Sequence, residues 1–108
     1  MTVREFAEQY GCRIYCMPDE DREIKGGYAG DLLSWVMGRL SADHAWVTIM
    51  SNVNIVAVAT LTDPSCIILS DGVVPEEDVI NKAIANGVNL LGMGQDTFSV
   101  CVTVSSVL

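Results

Sequence analysis

Basic side chains are scarce in this chain of 108 residues, which carries six Lys and Arg against fourteen Asp and Glu. The formal net charge of −8 repels a phosphate backbone, and the six cations are scattered singly along the sequence. Nucleic-acid binding draws on a basic stripe or patch that can offset this repulsion. The composition therefore excludes nucleic acid as an expected partner.

Long apolar runs are also missing, although 50% of the residues are hydrophobic. No apolar stretch approaches the roughly 20 residues that a helix needs to cross a bilayer. The first ten residues contain two Glu and no apolar segment of the kind that a secretory signal requires. We therefore expect a cytoplasmic protein without membrane contact, whose surplus of apolar side chains fills a core or covers a partner.

Side chains that could catalyse a reaction or hold a metal are few. The one histidine, His44, is predicted on a turn, where its neighbour Asp43 is poorly placed to orient it as a base. The four cysteines lie in apolar runs with no histidine nearby, which predicts reduced, buried thiols and no zinc site. They are Cys12, Cys16, Cys66 and Cys101. Because the sequence also lacks the Gly-Lys-Ser/Thr of a phosphate-binding loop, we expect no catalytic residue, metal or cofactor.

The most informative pattern is an alternation of apolar, strand-like runs with helical stretches. Each repeat of this strand-then-helix pattern is about twenty residues long. The repeats cover residues 24–40, 45–61 and 66–85, and a last one begins at residue 89. Consecutive βα units form a parallel sheet covered by helices, because their crossovers are right-handed. The expected fold class is therefore α/β, with a mostly parallel sheet of four to five strands, helices on both faces, and a single domain over residues 1–108.

The N-terminal part departs from this alternation. Thr2 and Glu5 have the spacing of a capping box, which begins a helix, and Gly11 would end that helix. Residues 12–17 have the pattern of a strand, and the charged turn after them favours a hairpin with residues 23–29. We expect this first strand to be an antiparallel edge of the sheet.

The apolar residues of the C-terminal segment fit the periodicity of a strand and also that of a helix. Valines alternate with smaller side chains from Phe98 to Val104, which is the period of a strand, but Phe98, Cys101 and Val102 also share one face of a helix. A final strand would leave one face of the sheet uncovered. We therefore predict a helix.

A candidate ligand site lies where the parallel strands end, because ligands of open α/β sheets bind beyond the carboxyl ends of the strands. The candidate ligand-binding residues at this edge are Ser51, Asn52, Asn54, Asp71, Gly72 and Thr97. The turn of residues 51–54 is favoured because it carries no acid and offers amides and a hydroxyl. The alternative is that Ser and Asn stand here only as helix caps and turn formers.

A candidate dimer interface lies in residues 55–61, which are apolar on nearly every side. A helix of this composition is covered by the sheet and by something else, and a second copy of the chain is one possibility. The predicted interface residues are Ile55, Val56, Val58 and Ala59.

Between residues 23 and 99, several short segments occur in an order that resembles the DRTGG domain family. They are Gly30-Asp-Leu-Leu-Ser34, Ala45-Trp-Val-Thr-Ile49, Asn54-Ile-Val-Ala-Val-Ala59, Cys66-Ile-Ile-Leu-Ser-Asp-Gly72, the stretch from Pro75 to Gly87, and Asp96-Thr-Phe98. The family is similar to the N-terminal domain of HPr kinase/phosphorylase, and the kinase half has no counterpart here. Residues 51–54 replace the Asp-Arg turn that gives the family its name.

The resemblance implies a bacterial regulatory or dimerising module that is not an enzyme. The expected function is a non-catalytic regulatory or protein-interaction module, a homodimer that senses a small ligand at the carboxyl ends of the strands. Two alternatives stay open. One is a nucleotide- or anion-binding protein related to phosphotransfer regulators, and the other is an accessory subunit of a redox complex of the hydrogenase type. Regulatory or redox proteins are the further partners that these interpretations imply.

Overall fold

The computed structural model describes all 108 residues, in which five helices and five strands form one sheet with flanking helices. The elements are α1 Val3–Gln9, β1 Arg13–Cys16, β2 Gly26–Ala29, α2 Leu33–Arg39, β3 His44–Thr48, α3 Asn54–Thr62, β4 Cys66–Leu69, α4 Glu77–Ala85, β5 Leu90–Gly92 and α5 Thr97–Ser105. The strand order is β1-β5-β4-β3-β2, with β2 to β5 parallel and β1 antiparallel to β5. The predicted α/β class and the antiparallel N-terminal edge strand are confirmed.

Two hydrophobic cores lie on the two faces of the sheet. Trp46 and Ile67 face the core that α2, α3 and α4 cover, whereas Val47 and Ile68 face the core that α1 and α5 cover. Successive side chains of a strand point to opposite faces, so β3 and β4 contribute to both cores. This burial on both faces explains why these strands appear in the sequence as continuous apolar runs.

Helix α3 packs one face on the sheet and contacts α2 and α4, whereas its outer face is in solvent, with Leu61 73% exposed. The four residues predicted to form a dimer interface are at most 7% exposed and belong to the chain's own core: Ile55, Val56, Val58 and Ala59. The elements that bury these four side chains are therefore the sheet and two helices of the same chain. This corrects the expectation that these side chains are available to a second copy.

The predicted hairpin between the first two strands is wrong, because β1 and β2 lie at opposite edges of the sheet. The charged segment between them crosses to the amino end of β3. There the backbone N–H of Lys25 donates to the carbonyl oxygen of Asp43 at 2.9 Å, and the Arg22 side chain bonds Asp43 as well. These contacts carry the chain away from β1, and β2 then pairs in parallel with β3.

The C-terminal segment is a helix, as predicted. The Asp96 side chain accepts a hydrogen bond from the backbone N–H of Ser99 at 2.8 Å, which caps α5 at its first turn. Val100 and Val104 pack on the sheet, and the opposite side of the helix leaves Phe98 78% exposed and Val102 55% exposed. None of the five helices combines the length and the apolar character that crossing a bilayer requires.

Candidate functional site

Three of the six predicted ligand residues, Asp71, Gly72 and Thr97, lie at the carboxyl ends of β4 and β5. The Thr97 hydroxyl at the start of α5 donates to Asp71 Oδ2 at 3.1 Å, and it lies 2.7 Å from the Ser70 hydroxyl oxygen. Asp71 and Gly72 form a turn with φ of 58° and 70°, in the left-handed region. The backbone N–H groups of this turn donate to the carbonyl oxygens of Gln95 and Met93. The turn after β4 is thereby tied to the loop after β5.

The other three predicted ligand residues lie in the turn between β3 and α3. Asn52 Oδ1 accepts a hydrogen bond from the backbone N–H of Asn54 at 2.9 Å, which is an Asx turn leading into the helix. Ser51 is half-buried, and no hydrogen bond joins this turn to Asp71 or Thr97. Asn52 therefore acts locally as a turn former, and ligand binding by these three residues stays a prediction.

A cleft of about 310 Å³ opens beside the carboxyl end of β5. Because β1 is antiparallel, its first residue Arg13 pairs with Gly92, the last residue of β5. The cleft is lined by Tyr10, Gly11, Arg13, Tyr15, Gly72, Val73, Val74, Gly92, Met93, Gly94 and Gln95. Among the ligand residues predicted from the sequence, only Gly72 takes part.

Arg13 and Tyr15 are not among the residues that the sequence predicts for a site, because the expected hairpin pairs β1 with β2. That pairing would place both residues at the far edge of the sheet from β5. The observed β1–β5 pairing joins residues that are far apart in the sequence, such as Ile14 and Leu91. Local periodicity carries no information about such a pairing, so only the register of the sheet reveals the cleft.

The cleft contains one cation and no acidic side chain. Arg13 forms no ion pair, and its guanidinium carbon lies 5.5 Å from the centroid of the Tyr15 ring. Arg22, by contrast, lies within ion-pair distance of three carboxylates. In a chain of net charge −8, the cleft thus has one unpaired cation and no carboxylate among its lining residues.

An uncharged surface lies on the other side of the molecule, between α5 and the edge strand β2. A groove of about 240 Å³ there is lined by Gly27, Tyr28, Ala29, Val47, Cys101, Val104, Ser105 and Leu108. Phe98 and Val102 lie on the exposed side of α5, near the groove residue Cys101 in the sequence. We call these three residues, with the groove, the α5–β2 surface.

The four cysteines and the one histidine are buried or half-buried. Desolvation by burial raises the pKa of the Cys12 thiol to about 11 and that of Cys66 to about 12, so both are protonated at neutral pH. The His44 ring lies against Gly26, where a Cβ atom would stand 2.5 Å from it. Asp43 bonds Arg22 and not His44, so no acid–base pair forms at this turn.

Comparison with known proteins finds a similar solved structure for this fold and no match by sequence. No family model and no curated protein matches the sequence. The chain is similar to a crystal structure of the CBS and DRTGG domains of the regulatory region of Clostridium perfringens pyrophosphatase, complexed with the activator diadenosine tetraphosphate. The TM-score is 0.75 at 11% sequence identity, and the match covers 95% of this chain but 45% of the other. The chain thus spans less than half of that protein's length, and the likeness supports a DRTGG-like fold.

Proposed function

We propose that this chain is a non-catalytic regulatory module that works by protein contact, first of all with a second copy of itself. The likeness to a regulatory region of a pyrophosphatase supports a regulatory role. The observation that carries the self-contact is the exposed, uncharged α5–β2 surface. On it, Phe98 is 78% exposed and Val102 is 55% exposed.

Charge favours this surface over the rest of the molecule. Residues 97–108 and 26–29 contain no charged side chain, whereas the whole chain carries a net charge of −8. Two copies repel each other wherever their acidic surfaces meet, and this repulsion is smallest where the contact carries no charge. Contiguous exposed apolar side chains are also typical of protein interaction sites.

The unpaired edge of strand β2 is a second feature that favours contact between two copies of the chain. β2 pairs only with β3, so its other side presents backbone N–H and C=O groups, and the strand contains no Lys or Pro that would block pairing. A two-fold axis beside this edge would bring two β2 strands together as identical, self-complementary surfaces. The proposed interface therefore lies at α5 and β2 and not at the buried face of α3.

The environment of the reactive side chains supports a role without catalysis. A cysteine nucleophile reacts as the thiolate, and burial raises the pKa of Cys16 and Cys101 as it does that of Cys12 and Cys66. The His44 ring is held by its packing on Gly26. These contacts suit a folded scaffold better than an active site.

Sedimentation equilibrium at tens of micromolar tests the self-contact. We expect a dimer for the wild type and a monomer for Phe98→Glu, because the new charge would face its own copy across the interface. Ile84→Glu is the matched control, since Ile84 is a 53% exposed apolar residue on α4, and this variant should stay dimeric. A monomeric wild type, or dissociation of both variants alike, would overturn the proposed interface.

Binding of a small anion is a second candidate function, and the Arg13 cleft is the observation that favours it. The similar pyrophosphatase region was crystallised with a nucleotide activator, which is the same broad class of ligand. Isothermal calorimetry with nucleotides and phosphate tests this function, and heat that disappears in Arg13→Gln is the expected result. That the partner is a redox complex stays a prediction.

A further inference from the structure

We infer that the cleft beside β5 binds a compact anion bearing a planar ring, with Arg13 holding the anionic group. This inference rests on the small-ligand part of the proposed function and is independent of the dimer. The shared chemistry is a phosphate or carboxylate attached to an aromatic body.

The charge of Arg13 is available to a ligand. Arg4, Arg22 and Lys25 are each in contact with at least one carboxylate. Arg13, Arg39 and Lys82 form no ion pair, and of these three only Arg13 lines a cleft that also contains aromatic side chains. A guanidinium offers parallel N–H donors that match the two oxygens of a carboxylate or phosphate. An anion that enters the cleft therefore meets an unpaired guanidinium and no carboxylate among the lining residues.

Glycine backbone forms much of the cleft wall. A Cβ atom at Gly92 would lie 2.8 Å from Tyr15 Cε2, so glycine is what lets the Tyr15 ring rest on the end of β5. At Gly94 a Cβ atom would meet nothing within 4 Å, so this part of the loop is open. Backbone without side chains lets a ligand approach the main-chain N–H groups closely.

Two tyrosines and the volume of the cleft indicate the shape and size of the part of the ligand that carries no charge. Tyr10 and Tyr15 both line the cleft, and aromatic side chains pack favourably against a planar ring. The volume of about 310 Å³ is at the low end of the roughly 300–1,000 Å³ typical of small-molecule sites. One ring with one anionic group therefore suits this space better than a long, extended molecule.

A second cleft serves as an internal comparison. It measures about 260 Å³, lies between α3 and α4, and also contains one cation, Lys82, and no acid. It has no aromatic side chain, and an ammonium is a point charge without the planar donor pattern of Arg13. Lys82→Gln is thus matched to Arg13→Gln, because each removes one positive charge from one cleft.

The test is a titration of the isotopically labelled full chain, followed by two-dimensional amide NMR. Phenyl phosphate and benzoate are the probes, and inorganic phosphate is the anion without a ring. We expect saturable shifts at the amides of Gly11, Gly92, Gly94 and Gln95, with inorganic phosphate binding more weakly. The tighter of the two probes identifies which anionic group the cleft prefers.

The variants separate the cleft from general charge effects. Arg13→Gln should raise the dissociation constant about tenfold or more, Arg13→Lys should raise it less, and Lys82→Gln should leave it unchanged. No saturable shift up to millimolar probe, shifts centred on Lys82, or equal weakening by both Gln variants would overturn the site. If inorganic phosphate binds as tightly as the ring-bearing probes, the proposal that the ligand carries an aromatic ring is wrong. Sedimentation of the same samples reports on the dimer separately, so the two proposals fail independently.

Discussion

Arg22 binds both the side chain and the backbone of Asp63. Its Nη1 donates to Oδ1 at 2.7 Å and its Nη2 donates to the carbonyl oxygen at 2.8 Å. Its Nε also donates to Asp43 Oδ1 at 2.8 Å. Asp43 and Asp63 have φ of 63° and 60°, a left-handed conformation that costs a non-glycine residue energy. One guanidinium thus holds two strained turns together at the amino end of β3.

Replacing Arg22 should destabilise the fold. We expect Arg22→Gln to lower the free energy of unfolding by about 1–2 kcal/mol, because it removes charge-assisted hydrogen bonds from a side chain that is only 20% exposed. Urea denaturation measures this change. Arg4→Gln is the control, since Arg4 makes an exposed contact with Asp21 and such pairs contribute little. Similar losses in the two variants would show that the turns do not depend on Arg22.

The acid sensitivity of the fold should depend on Asp43. Hydrogen bonding to Arg22 holds the pKa of this carboxyl below its ordinary value, whereas in the unfolded chain it titrates near about 3.9. A pKa that is lower in the folded state contributes stability above the unfolded pKa, and this contribution is lost as the pH falls through the folded pKa. Stability should therefore decrease below about pH 4.

Urea denaturation of Asp43→Asn across this pH range tests the linkage. The variant should be less stable than the wild type at neutral pH, and the difference should shrink as the pH falls below about 4. Glu20→Gln, a neutralisation of an exposed acid, should keep the wild-type dependence. A constant difference between Asp43→Asn and the wild type would contradict the linkage.

Local patterns in the sequence predicted most of the elements correctly. The capping box at Thr2 and Glu5 forms as expected, with hydrogen bonds of 3.1 and 2.9 Å between each side chain and the other's backbone N–H. The apolar runs of β3 and β4 are similarly local. Such features depend on neighbours within a few residues, which is why sequence reasoning finds them.

Long-range pairing could not be predicted in the same way. The partners of Arg22 lie 21 and 41 positions away, and the choice of β5 as the neighbour of β1 has no local cause. The apolar composition of residues 55–61 predicted burial, but it could not tell helices of the same chain from a second copy. The Arg13 cleft depends on the same long-range pairing and was missed for that reason.

Asn89 is a buried polar residue that joins three separate segments. It is 2% exposed, and its Nδ2 donates to the carbonyl oxygens of Asp19 at 2.7 Å and Ser65 at 2.9 Å. Its Oδ1 accepts from the backbone N–H of Asp19 at 2.9 Å. The side chain therefore fixes the segment after β1 to the amino ends of β4 and β5.

Asn89→Asp should lower the free energy of unfolding by about 2–3 kcal/mol. The substitution keeps the shape but removes both Nδ2 donors and turns a carboxylate oxygen toward two carbonyl oxygens. Asn81→Asp makes the same chemical change at an exposed position of α4 and should stay within about 0.5 kcal/mol of the wild type. Amide hydrogen exchange should also show lost protection in β1 before β3 and β4, because Asn89 anchors the chain next to that edge strand. Uniform loss of protection, or equal destabilisation by the two variants, would contradict this role of Asn89.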